Sequence, residues 1–177
     1  LIHPFADPAV MAGNGVIGLE ILEDLPDVDA IVVPYGGGGL SCGIASAVRA
    51  LEPGVEVYAS EVETGAPLAA SLAAGRPVEV DYRPSFVTGM GAPFVFPEMW
   101  PRASRLLDGS LVVSLQQVAD AIRLLIEWNH VVAEGAGATP VAAALSGQAG
   151  GGRIVCVVSG SNIGLHELTC ILQGGVP

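Results

Sequence analysis

The chain has 177 residues with 18 acidic side chains against seven basic ones, a formal net charge of -11. That balance excludes a nucleic-acid partner, because phosphate backbones recruit clustered Lys and Arg. With 51% hydrophobic and 14% charged residues, the composition excludes a disordered segment, and the length suffices for one domain with a sizeable core.

No apolar stretch reaches the roughly 18 residues of a membrane helix, and no basic n-region marks a signal peptide. Cys42, Cys156 and Cys170 lack any metal-ligand spacing and are expected to be buried, reduced thiols, which fits a cytoplasmic setting. All seven basic residues are arginines, and there is no lysine. The first residue is Leu1 rather than methionine, so the chain is expected to be a piece of a longer protein.

Strand and helix signals alternate along the chain. Gly15 to Glu23 reads as an amphipathic helix with Val16, Leu19 and Leu22 on one side. The apolar run Ala30–Pro34 is a strand, and the four glycines Gly36, Gly37, Gly38 and Gly39 come after it. A helix-like stretch starts at Leu40, with its body over Ser41–Leu51, and stops at Glu52-Pro53-Gly54. Val55–Glu61 alternates as a second strand, and Ala66–Ala74 is helical up to Gly75. From Arg76 to Asp108, repeated Pro and Gly predict mostly irregular structure.

Leu111–Val113 reads as a short strand, and Ser114 with Gln117 has the spacing of a capping box for a helix reaching about Asn129. The run Glu134-Gly135-Ala136-Gly137-Ala138 reads as a loop before a helix over Thr139–Leu145, with Pro140 in its first turn. Arg153–Val158 is a continuous apolar strand, expected to be buried on both faces. Ser159-Gly160-Ser161-Asn162 leads to a closing helix at about Leu165–Leu172, with Asn162 expected to cap it.

This alternation predicts a single α/β domain over residues 1–177, a three-layer, doubly wound parallel sheet with helices on both faces. Ligands in such sheets collect beyond the carboxyl ends of the strands. Two loops are nominated, Gly36–Gly39 and Ser159–Asn162. Glycine opens backbone conformations closed to other residues. Successive N–H groups can then face one anion at the positive end of the next helix.

Five stretches occur in order: His3-Pro4-Phe5, Gly13-Asn14-Gly15, Asp29–Pro34 with its four glycines and Leu40, Glu134–Ala138, and Val157–Asn162. Together they resemble the C-terminal, large-domain part of the threonine/serine dehydratase family, fold-type II enzymes dependent on pyridoxal phosphate that include serine racemases. The resemblance implies that Gly36, Gly37, Gly38, Gly39 and Leu40 cradle the cofactor phosphate and that Ser159 hydrogen-bonds the pyridine nitrogen. It puts Glu134 near the ring or the substrate end. A helix N-terminal carboxylate is the alternative for that residue. It also makes Glu61 a weak metal candidate: Pro67 stands where a second acidic ligand is expected, so no metal is expected.

Departures from the family pattern bear on activity. The family holds its cofactor as a Schiff base on a lysine near the start of the full protein, and these 177 residues contain none. Ser161 stands where a glycine is usual, Thr88 where an acid is usual and Val16 where a threonine is usual. The expectation is therefore a fragment of an ammonia-lyase acting on a hydroxy amino acid, without a catalytic residue of its own and inactive alone. Its partner would be a complementing N-terminal half or a homo-oligomer. A stand-alone, lysine-free pseudoenzyme or phosphate-binding module remains open beside it.

Overall fold

The computed structural model describes residues 2–177. Strands β1 (Ala30–Pro34), β2 (Glu56–Val62), β3 (Gly109–Val113) and β4 (Ile154–Cys156) form one sheet in the order β3-β2-β1-β4. Every neighbouring pair is parallel, with Pro34 opposite Ser60 and Val32 opposite Cys156 in register. All five residues of β1 are buried, as a central strand covered on both faces must be.

Alternate side chains of the strands feed two separate cores. Ile31, Val33, Val57 and Ala59 point to one face, where α1 (Pro8–Asp24), α2 (Gly39–Leu51), α3 (Pro67–Ala74) and α4 (Trp100–Leu106) pack through Leu22, Ile44, Leu68 and Ala103. Val32, Val62 and Val113 point to the other. There α5 (Leu115–Asn129), α6 (Gly135–Leu145) and α7 (Leu165–Leu172) contribute Ile122, Ala142 and Ile171. Burial of each Val, Leu or Ile contributes about 1.5–3 kcal/mol, so these two layers carry most of the driving force. The three-layer, doubly wound α/β fold is the one read from the sequence.

Several boundaries differ from the sequence reading. Helix α1 starts at Pro8 rather than Gly15, because the Asp7 side chain accepts from the Ala9 N–H at 2.8 Å and proline suits the first turn. The Pro- and Gly-rich stretch includes the helix α4, anchored by buried Met99 and Ala103. The Gly/Ala run is not a loop but the first turn of α6, which leaves Pro140 inside that helix. Thr139 resolves the conflict by donating its hydroxyl to the Ala136 carbonyl at 2.9 Å, the acceptor that a proline N cannot serve. Strand β4 has three half-buried residues and lies at the sheet edge, so the longer, doubly buried strand is not formed. The capping box on α5 is present as read, with Ser114 and Gln117 bonded reciprocally.

Candidate functional site

The connections run outward from β1 to β2 and β3, then return across β1 to β4 on its far side. The strand order therefore reverses between β1 and β4, and ligand sites in open α/β sheets form at such a switch point. Both nominated loops lie there. Gly36–Gly39 and Leu40 line a cavity of about 170 Å³ together with Phe5, Gly89, Met90, Glu134, Ala136 and Ser159.

The glycine loop presents donors that the fold does not use. Tyr35 N–H is taken by the Ser60 carbonyl at 3.0 Å, and hydrogen bonding along α2 begins with Cys42 N–H to Gly38 C=O at 2.9 Å. Among the described residues, the N–H groups of Gly36, Gly37, Gly38, Gly39 and Leu40 have no protein acceptor. Gly38 is in the left-handed region at φ 89° and forms the N-cap of α2, a conformation that glycine adopts at little cost. Unused donors, two of them on buried residues (Gly38 and Gly39), at the positive end of a helix fit an oxyanion with several oxygens.

Phe5 shapes the other wall. A Cβ on Gly39 would lie 2.6 Å from Phe5 Cα, and one on Gly37 would run into the Phe5 ring. The loop is glycine partly because the Phe5 segment lies directly against it. Phe5 entered the sequence reading only as part of a motif, and nothing in the sequence showed that it contacts the loop. Gly89 and Met90 were missed as lining residues for a similar reason, since they come from the irregular stretch.

Ser159 follows β4 and is exposed to the cavity. Glu134 is the N-cap residue of α6 but makes no side-chain capping bond. Its carboxylate instead lies over Gly89 and Gly160, at the positions their Cβ atoms would take. Glu134 thus stands at a helix N-terminus and also lines the cavity. On its far side, Glu134 also borders a larger cavity of about 420 Å³ with Thr88, Asn162 and His166. Asn162 is not the cap of α7; Gly164 occupies that position, and Asn162 lines this second cavity.

Glu61 is committed elsewhere. It is 1% exposed, with Oε1 accepting from Leu68 N–H at 2.9 Å and Oε2 from Ala69 N–H at 2.8 Å and Ser110 Oγ at 2.6 Å. The carboxylate satisfies the first turn of α3, and burial pushes its pKa up against the opposing pull of those three bonds. Tyr35 is buried beneath the loop, against Gly38, and its hydroxyl has no partner among the described residues. Burial pushes the Cys42 thiol up to about 11, and the Cys156 thiol likewise to about 11, so neither is an activated nucleophile. The three cysteines are free, but only Cys42 is fully buried, a correction to the expectation for Cys156 and Cys170.

A parallel α/β domain with a glycine loop of unpartnered N–H groups at its switch point has the architecture of a class of phosphate-binding proteins. The chain belongs to the pyridoxal-phosphate dependent enzyme family, whose model matches residues 1–160. It is 40% identical over 176 residues to the L-threonine ammonia-lyase of Thermotoga maritima, covering 99% of this chain and 44% of that protein. It is also 37% identical over 174 residues to the catabolic L-threonine dehydratase TdcB of Escherichia coli, covering 96% of this chain and 53% of that protein. Among solved structures, a T.th. threonine deaminase superposes with a TM-score of 0.86 at 35% identity, over 92% of this chain and 62% of that one. Maize serine racemase gives a TM-score of 0.86 at 33% identity, over 94% of this chain and 54% of that one. The chain thus spans about half the length of the curated relatives it matches. The family's cofactor is pyridoxal phosphate, and its members act on amino acids.

Proposed function

We propose that these residues are the cofactor-holding part of a threonine ammonia-lyase-like enzyme that removes ammonia from a hydroxy amino acid. The observation that carries this reading is the set of N–H groups from Gly36 to Leu40, without protein acceptors, at the switch point of the sheet. The loop amides and the α2 N-terminus hold the phosphate, whose charge needs no lysine or arginine there. The Ser159 hydroxyl meets the pyridine nitrogen as a neutral partner. Glu134 limits the cavity on the substrate side, where the 420 Å³ space gives room for an amino acid.

The cofactor, when bound, supplies the electron sink for bond-breaking at the amino-acid α-carbon. The chain's own residues bind and orient it. No lysine is present among them, so the covalent link and its base come from another polypeptide segment, such as a complementing N-terminal half. Three free thiols fit a cytoplasmic setting.

The test compares equilibrium binding of pyridoxal phosphate and of pyridoxal to the protein. Because each hydrogen bond to a charged group contributes about 1.5–3 kcal/mol, the phosphate form should bind at least about 100-fold more tightly. Equal affinity for the two would refute the cradle. Ser159→Ala should shift the absorbance of the bound cofactor while leaving the phosphate preference intact.

A further inference from the structure

We propose that the groove between α1, α2 and α4 is a second binding site, for a small carboxylate on an apolar body. The groove encloses about 430 Å³, within the roughly 300–1,000 Å³ of small-ligand sites. It shares no lining residue with the phosphate cradle.

Its walls divide by chemistry. Met11, Val16 and Leu19 on α1 supply an apolar side, and Val16 and Leu19 are 48% and 45% exposed. Arg102 and Arg105 on α4 supply the opposite side. Among the described residues, Arg76, Arg83, Arg102 and Arg105 have no salt-bridge partner, and of these four Arg102 and Arg105 line this groove. Three of the seven arginines are matched with aspartates: Arg49 with Asp108, Arg123 with Asp120 and Arg153 with Asp27. Among the described residues, neither Arg102 nor Arg105 has a carboxylate partner. Arg102 makes one bond, from Nη1 to the Glu98 carbonyl at 2.6 Å, which leaves the rest of its guanidinium fork free. In a chain of net charge -11, two unmatched guanidinium groups on one wall of an apolar groove are complementary to an anion with a hydrocarbon body, since Arg recognises carboxylates with paired, directional donors. The limited volume favours a small molecule over a docked helix.

The experiment measures binding of octanoate, octanol and octylamine to the protein by titration calorimetry. Octanoate should bind saturably, more weakly as salt rises, and at least about tenfold more tightly than octylamine, as expected for charge-assisted bonds. The double variant Arg102→Gln/Arg105→Gln should lower octanoate affinity about tenfold, to the level of octanol, with pyridoxal phosphate binding unchanged. Val16→Glu, at an exposed wall position, should remove octanoate binding and spare octylamine. Absence of saturable octanoate binding, equal affinity for octylamine, or indifference to the double variant overturns the proposal. So does a double variant that turns a dimer into a monomer without octanoate binding to either form, because the groove would then hold a second copy. Loss of pyridoxal phosphate binding in the protein itself would count against the cradle and leave the groove untouched.

Discussion

The backbone N–H of Glu134 donates to the carbonyl of Gly160 at 2.9 Å. This bond ties the first turn of α6 to the loop after β4 and brings the Glu134 carboxylate over Gly160. Two segments 26 residues apart in sequence thereby form one rim of the cavity. Gly160→Ala places a methyl group where that carboxylate lies. The expected result is a loss of about 1–3 kcal/mol in urea unfolding, as for other overpacked sites, together with weaker pyridoxal phosphate binding. Adding Glu134→Ala should recover most of the stability; a strictly additive double mutant would show that the two residues do not meet.

Phe5 separates two glycine substitutions that look equivalent in sequence. A Cβ on Gly37 meets the Phe5 ring, whereas one on Gly39 meets Phe5 backbone, 2.6 Å from Cα and 2.9 Å from the carbonyl oxygen. Phe5→Ala should therefore rescue the folding and phosphate affinity of Gly37→Ala but not those of Gly39→Ala. Rescue of both, measured by melting temperature and phosphate titration, would contradict the backbone contact.

Glu61 gives a pH signature. Its carboxyl pKa is raised by burial above the ordinary 4.5, so the folded state holds the proton more tightly than the unfolded state. The associated stability is complete below 4.5 and is lost as pH rises through the folded value. Glu61→Gln cannot titrate, and its single oxygen cannot serve three donors, which costs about 1–3 kcal/mol. The difference between wild type and variant should shrink as pH rises from 4.5. A difference that widens with pH would reverse the assignment.

Tyr35 carries a buried hydroxyl with no partner among the described residues. Tyr35→Phe removes an unsatisfied group and keeps the ring beneath Gly38, so stability should stay equal or rise by up to about 1–3 kcal/mol. Tyr35→Ala removes the ring and should cost about 3–5 kcal/mol. A clear loss of stability in Tyr35→Phe would reveal a bond to that hydroxyl, such as one to a buried water.

Much of the site could be read from order and spacing. The apolar run before Gly36 marked a buried strand, and the small-residue loops after β1 and β4 marked the ligand end of the sheet. These signals are local, arising from residues that fix their own backbone preferences. Where a local signal had two outcomes, the sequence did not choose: Gly135–Ala138 satisfies both loop and helix, and packing of Ala136, Ala138 and Ala142 against the sheet selected helix. The same holds for Arg153–Val158, where apolar content indicated a strand but only the sheet order placed it at an edge.

The amino-acid sequence by itself determined the fold class, the glycine loop after β1 and the absence of a lysine, because each follows from residue type and nearest-neighbour pattern. Only the tertiary structure decided that Phe5 braces the loop, that Glu134 lies over Gly160, that Glu61 serves α3 and that Arg102 and Arg105 share a groove with α1. Those relationships join residues far apart along the chain, and they depend on how two helical layers close on one sheet, a matter of packing that no local pattern encodes.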